Sequence, residues 1–102
     1  MKELDVNEKL PILVIGHRGC VGVEPENTLR SIHRALELGC KMVEVDVYLV
    51  DGKLVVHHDE KVDRTSNGHG MIASYSFGHL RELDFGMGER IPTLEEVLDL
   101  CL

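Results

Sequence analysis

The chain has 102 residues, 43% of them apolar and 28% charged, the proportions of a folded globular domain rather than a disordered segment. A formal net charge of −7 argues against a general nucleic-acid binder, which would carry a basic patch, but not against a small anionic ligand held by a local arginine or cation. No apolar run approaches the ~20 residues of a membrane span, and Met1-Lys2-Glu3-Leu4-Asp5 does not open a signal peptide, so a cytoplasmic protein is expected.

Residues 1–10 are polar and read as a loose lead-in. Pro11-Ile12-Leu13-Val14-Ile15 is a continuous apolar run, as in a strand buried on both faces of a parallel sheet. Gly16-His17-Arg18-Gly19-Cys20-Val21-Gly22, with its three glycines, breaks that element into a loop. Glu24-Pro25-Glu26-Asn27-Thr28 predicts a helix start with Asn27 as N-cap. Leu29, Ile32, Ala35 and Leu36 form its buried stripe, and Gly39 stops it.

Met42 to Tyr48 then reads as a strand, with Glu44 and Asp46 on one face and Val43, Val45 and Val47 on the other. Asp51-Gly52 is a tight-turn dipeptide, so Lys53 to His58 returns as a hairpin strand. Residues 63–70 are turn-rich, and Ser76 caps a short helix through Leu83. Thr93 and Glu96 have capping-box spacing and open a last helix. The order strand, helix, strand, insertion, helix is α/β. Cys20, Cys40 and Cys101 are odd in number and show no Cys-x-x-Cys spacing, so free, mostly buried thiols are expected.

Two carboxylates on one strand face repel, and a divalent cation with oxygen ligands is the direct remedy. Around Glu44 and Asp46 the chain offers His17-Arg18 in a glycine-rich loop after a strand, where parallel α/β sheets bind ligands. It also offers His58-Asp59 at the end of the return segment. Arginine presents a planar fork to phosphate, and two histidines can serve as acid and base. With a cation at Glu44 and Asp46, these groups describe metal-assisted phosphodiester cleavage.

The words Gly16-His17-Arg18-Gly19, Pro25-Glu26-Asn27-Thr28, Glu44-Val45-Asp46-Val47, Asp51-Gly52-Lys53-Leu54-Val55-Val56, His58-Asp59, Asp63-Arg64-Thr65, Asn67-Gly68 and Ile91-Pro92-Thr93-Leu94-Glu95-Glu96 occur in this order. On them the chain resembles the glycerophosphodiester phosphodiesterase family, of the phosphoinositide-phospholipase-like TIM-barrel superfamily. The resemblance implies the N-terminal portion of a (β/α)8 barrel with a small insertion after strand 2. Residues 12–48 would be the first β/α unit and strand 2, 49–90 the insertion, and 91–102 the start of the next barrel helix. It further implies hydrolysis of glycerophosphodiesters to sn-glycerol 3-phosphate and an alcohol, in glycerol and lipid metabolism. His17 and His58 would be the acid/base pair, Arg18 the phosphate ligand, and Glu44 and Asp46 the ligands of Mg²⁺ or Ca²⁺. One histidine deprotonates a glycerol hydroxyl, the other protonates the leaving alcohol, and water opens a cyclic phosphate.

The family's third metal carboxylate has no counterpart here, and a TIM barrel needs about 250 residues. A fragment inactive by itself is therefore expected. Three readings stay open beside the main one. The substrate could be a lysophospholipid, the chain could be a non-catalytic module that associates with itself through exposed strand edges, and Asp59 and Glu26 could be plain turn residues rather than partners of His58 or a loop. Arg64 is expected to pair with a carboxylate, His57 to be structural, and His33, His69 and His79 to lie at the surface.

Overall fold

A computed structural model describes residues 13–102. The expected lead-in and the first two residues of the opening apolar run lie outside the described residues. Strand β1 (Ile15–His17) pairs in parallel with β2 (Met42–Glu44), joined by helix α1 (Leu29–Glu37) in a β-α-β crossover. Strands β3 (Val47–Val50) and β4 (Lys53–Val56) form an antiparallel hairpin. A 3-10 turn (Ile72–Ser74), helix α2 (Phe77–Glu82) and helix α3 (Leu94–Cys101) follow.

The opening strand differs from expectation: it starts at Ile15, takes in Gly16 and His17 rather than leaving them to the loop, and is exposed on one face, with Ile15 50% exposed. Met42 to Tyr48 is not one strand: it breaks at Val45-Asp46, and its halves belong to different sheets. The first half completes the parallel pair and the second opens the hairpin. At the break the Asp46 carbonyl accepts from the His57 N–H (2.8 Å), in register with the hairpin, so Asp46 already follows the second sheet.

Helix α1 buries Ser31, Ile32 and Ala35, close to the predicted stripe. Its N-cap is Thr28, whose side chain accepts from the Ser31 N–H; Asn27, the expected cap, sits one residue outside with φ of 55°. The C-terminus closes as a Schellman motif, with the Gly39 N–H on the Leu36 carbonyl and the Cys40 N–H on that of Ala35, both 3.1 Å. The Asp51-Gly52 turn has both residues at positive φ, as a two-residue hairpin requires. Ser76 caps α2, and Thr93 with Glu96 forms the full capping box of α3.

Two apolar clusters hold these elements. Ile32, Val56 and Val97 are buried at the centre of one, with Val43 and Val45 packed against them; Val47, expected on the same face, is 45% exposed because it belongs to the hairpin instead. Val50, Val55, Val62, Ile72, Leu80, Phe85 and Ile91 fill the other, inside the segment between β3 and α3, with Tyr75 and Phe77 packed on it. Val55 and Val56 are neighbours on β4 and point into different clusters, which makes β4 the shared wall. The Val56 N–H donates to the Pro92 carbonyl (2.9 Å) and seats α3 on that wall. Cys20 and Cys40 are half-buried and Cys101 is exposed; all three are free, and burial pushes the Cys40 thiol up.

Thr93→Ala is expected to remove a cap worth about 1 kcal/mol, read as a lower urea midpoint with an unchanged denaturant slope.

Candidate active site

The register of the parallel pair sets His17 directly beside Glu44, and Ile15 beside Met42 one layer below. Gly16 and Val43 face the other way, towards Ala35 of α1. The loop after β1 is pressed onto α1 so closely that a Cβ on Gly19, whose φ is +82°, would lie 2.6 Å from Ser31 Oγ and 2.9 Å from the Ile32 nitrogen. Arg18 itself takes a left-handed conformation, φ 49°. Such backbone costs roughly 1–3 kcal/mol in a residue with a side chain. It persists because the Arg18 carbonyl accepts from the Asn27 N–H (2.9 Å) and from Ser31 Oγ (3.2 Å).

This twist gives Arg18 three acidic neighbours. Its backbone N–H donates to Glu44 Oε1 (3.3 Å). Its Nη1 reaches both oxygens of Glu26 (3.2 and 3.4 Å), and its Nε lies 3.6 Å from Asp46 Oδ2. Glu44 and Asp46 thus turn towards one side despite the broken strand. His17 Nε2 stands 3.9 Å from Glu44 Oε1. Asn27 is buried and donates through Nδ2 to Asp46 Oδ2 (3.2 Å), orienting that carboxylate. Sequence reasoning gave Asn27 a capping role and missed this contact; the signal was its place between Glu26 and Thr28 in a motif otherwise assigned to function.

His58 enters from the hairpin. Its Nδ1 lies 2.7 Å from Asp59 Oδ1, and Tyr48 Oη donates to its carbonyl (2.9 Å). Asp59 also accepts from Arg64 Nε and Nη2 (2.9 and 3.0 Å), and Arg64 donates from Nη1 and Nη2 to the two oxygens of Glu26 (2.8 and 2.9 Å). An unbroken series of polar contacts therefore runs from His17 through Glu44, Arg18, Glu26, Arg64 and Asp59 to His58. Hydrogen bonds from Arg64 hold the Glu26 and Asp59 carboxyls below their usual range, with Arg18 adding to the effect on Glu26 and His58 to that on Asp59.

His57 points elsewhere. It is buried, its Nε2 bonds the Lys61 carbonyl (3.0 Å), and its ring packs edge-on against Phe85 at 5.5 Å between centroids. Of the adjacent histidines, His58 is the one open to solvent. His33, His69 and His79 are exposed, the first two beside Glu37 and Asp63.

Among the described residues, no three His, Cys, Asp or Glu side chains are gathered as a complete metal cage. The donor chemistry nevertheless fits a hard cation. Glu26, Glu44, Asp46 and Asp59 face two guanidinium groups, those of Arg18 and Arg64, which leaves two negative charges in excess when the histidines are neutral. Arg64 sets one positive charge against Glu26 and Asp59, and Arg18 sets one against Glu44 and Asp46, so one negative charge of excess lies on each side; on the Arg18 side Glu44 and Asp46 offer oxygens to a divalent ion.

The family model described as the glycerophosphoryl diester phosphodiesterase family matches residues 17–102. The chain belongs to that family. It is 49% identical over 96 residues to a glycerophosphodiester phosphodiesterase of Caldanaerobacter subterraneus, covering 86% of this chain and 40% of that one. It is 38% identical over 104 residues to one of Bacillus subtilis, covering 86% and 36%. The structure superposes with a TM-score of 0.85 on an Oleispira antarctica phosphodiesterase solved with the product sn-glycerol-3-phosphate, at 42% identity over 88% of this chain and 40% of that one. On the Agrobacterium tumefaciens glycerophosphodiester phosphodiesterase the TM-score is 0.82, at 35% identity over 85% and 41%. The chain thus spans about 40% of the length of these relatives. Its described residues form the N-terminal portion of a TIM-type (β/α)8 barrel with an insertion after the second strand, as the motifs predicted.

Burial lowers the proton affinity of His57 from its ordinary 6.5. The folded state therefore takes up its proton later than the unfolded state as pH falls. The stability contributed by neutral His57 is complete above that ordinary value and is lost as pH drops below it. Glu26 and Asp59, held low, stay ionised across the same window, and their contribution goes only below their ordinary 4.5 and 3.8. The urea midpoint is expected to fall between about pH 7 and about pH 5, and the fall to shrink in His57→Gln, which keeps an N–H donor for Lys61.

Proposed function

We propose that the chain carries the first part of the active site of a divalent-metal-dependent phosphodiesterase, cytoplasmic and acting in glycerol and lipid metabolism. The reaction is hydrolysis of a glycerophosphodiester to sn-glycerol 3-phosphate and an alcohol. The observation that carries this reading is the polar series joining His17, Arg18, Glu44 and Asp46, at the carboxyl end of the parallel pair, to His58 on the neighbouring hairpin. The Oleispira relative, solved with sn-glycerol-3-phosphate, supports the substrate class.

Each residue has a task set by its surroundings. Arg18 is oriented by Glu26 through Nη1, which leaves Nη2 to face a phosphate oxygen. Asp59 engages Nδ1 of His58 and so leaves Nε2 as the atom that exchanges protons. His17 is exposed on the same face as Glu44. One imidazole removes a proton from a glycerol hydroxyl, whose oxygen bonds to phosphorus. The other gives a proton to the departing alcohol oxygen as its bond to phosphorus breaks. Water then opens the cyclic phosphate with the proton transfers reversed. Glu44 and Asp46 would hold Mg²⁺ or Ca²⁺, which supplies positive charge against the phosphate and lowers the pKa of a bound hydroxyl.

Hydrolysis of glycerophosphocholine by the complete polypeptide, followed by release of sn-glycerol 3-phosphate, tests the reading. Glu44→Ala, Asp46→Ala and His17→Ala should each lower kcat by at least about 10²-fold, the scale of a lost acid/base group. A chelator should abolish turnover and added metal restore it, while residues 1–102 alone should show none. Undiminished turnover by Glu44→Ala or Asp46→Ala would sink the assignment.

A second reading concerns the isolated 102-residue chain. Cross-strand apolar pairs stand exposed on both sheets, Ile15 beside Met42 at 50% each, and Leu49 at 70% beside Leu54 at 47%. Such surface favours pairing with a second copy. Light scattering should give a concentration-dependent mass above that of one chain; a monomer at all concentrations removes this reading.

A further inference from the structure

The geometry points to Arg64 as a positioning residue: a guanidinium clamp from the insertion that holds the His58 imidazole through Asp59 and the Arg18 guanidinium through Glu26. The claim rests on the reading of His58 and Arg18 as the acid/base and phosphate groups, and goes beyond it by naming what sets their orientation.

The hydrogen bonds of Arg64 commit nearly all of its donors to two carboxylates. Arginine has five N–H donors. Four bonds leave Arg64: Nε and Nη2 to the two oxygens of Asp59, and Nη1 and Nη2 to the two oxygens of Glu26, all between 2.8 and 3.0 Å. Both ends are bidentate, so the planar guanidinium fixes the tilt of each carboxylate as well as its distance. Little donor capacity remains for a phosphate. Arg18 is the opposite case, with longer bonds to Glu26 and Nη2 without a partner among the described residues.

The base of Arg64 is fixed independently of its side chain. Val62, two residues earlier, is fully buried in the insertion's apolar cluster. Ser66 bonds the Val62 carbonyl through both its N–H (3.0 Å) and its Oγ (2.7 Å), closing the turn that carries Arg64. Asp59 lies on the same insertion, whereas Glu26 belongs to the segment that leads into α1. The side chain thus ties the rigid insertion to the loop that bears Arg18. The raised proton affinity of Arg64, set first by Glu26 and then by Asp59, and the lowered ones of both carboxyls agree with a clamp that stays charged wherever the protein is folded.

The consequence for His58 is specific. Asp59 can accept from Nδ1–H only while its carboxylate is turned towards the ring, and Arg64 turns it. Without the clamp the ring loses its fixed tautomer, and Nε2 no longer presents a lone pair in a set direction.

The test compares wild type, Arg64→Gln and Arg64→Lys in the complete polypeptide, by the ¹⁵N signals of the His58 ring at alkaline pH and by glycerophosphodiester turnover. In Arg64→Gln the ring should lose the Nδ1–H form, and kcat should fall about 10–100-fold, as when a group orienting an active residue is removed. Arg64→Lys, a single ammonium unable to fork to two carboxylates, should show the same change in smaller degree. A wild-type His58 tautomer with wild-type kcat in a folded Arg64→Gln would overturn the clamp. If Arg64→Gln does not fold, Arg64→Lys decides: wild-type tautomer and rate mean that Arg64 only stabilises the fold, and a changed tautomer with reduced rate upholds the clamp. Failure of the functional reading looks different. Wild type would then hydrolyse no glycerophosphodiester, while the effect of Arg64→Gln on the His58 tautomer would persist.

Discussion

Glu26 accepts hydrogen bonds from two guanidinium groups at once, and the arrangement of the candidate site depends on that sharing. Arg18 and Arg64 come from different parts of the fold and would repel each other without a carboxylate between them. Glu26, its side chain only 10% exposed, is that carboxylate. Through Arg18 it touches the end of the parallel pair, and through Arg64 it touches the hairpin and its insertion. The longer, weaker bonds are those to Arg18. The asymmetry suits the two proposed tasks, a phosphate ligand that keeps donors in reserve and a clamp that commits them.

The same joint explains why the insertion has a core of its own. A loop of about 40 residues without packed apolar side chains would pay too much conformational entropy to hold Asp59 and Arg64 in place. Val50, Val55, Val62, Ile72, Leu80, Phe85 and Ile91 supply that packing, and buried His57 docks edge-on against Phe85 at its border. His57 follows β4 directly and His58 opens the bend beyond it, so one ring is anchored inward while the next is left exposed. The structural histidine and the functional candidate thus stand side by side.

Much of this was legible in the residues. The α/β order, the hairpin turn at Asp51-Gly52, the helix end at Gly39 and the cap at Thr93 follow from local rules in which neighbours along the chain decide the outcome. The break at Val45-Asp46 was not legible, because a run of β-branched residues carries no mark of which sheet each residue joins. That depends on His57, eleven positions further on, reaching the Asp46 carbonyl. The cap at α1 was misplaced by one residue for a related reason. Asn27 has the right chemistry for a cap, but its amide is drawn to Asp46 on another segment, and Thr28 takes the cap instead. Arg64 could be read as a partner of some carboxylate; that it grips two at once is a fact of tertiary structure.

The exposed layer beneath the site completes the physical picture. Ile15 and Met42 lie side by side on the face that bears His17 and Glu44, one layer further from the strand ends. In a (β/α)8 barrel that face is the lumen, filled by layers of side chains from alternate strands. Full burial of such a side chain is worth about 1.5–3 kcal/mol, and each of these two is half exposed among the described residues. A cover over this face would also move His17 and Glu44 from water into a medium of lower dielectric, where electrostatic interactions at the proposed site strengthen. Packing of the lower layer and the electrostatics of the upper one are then joined, so burial and the proposed chemistry meet in two adjacent pairs of residues on two short strands.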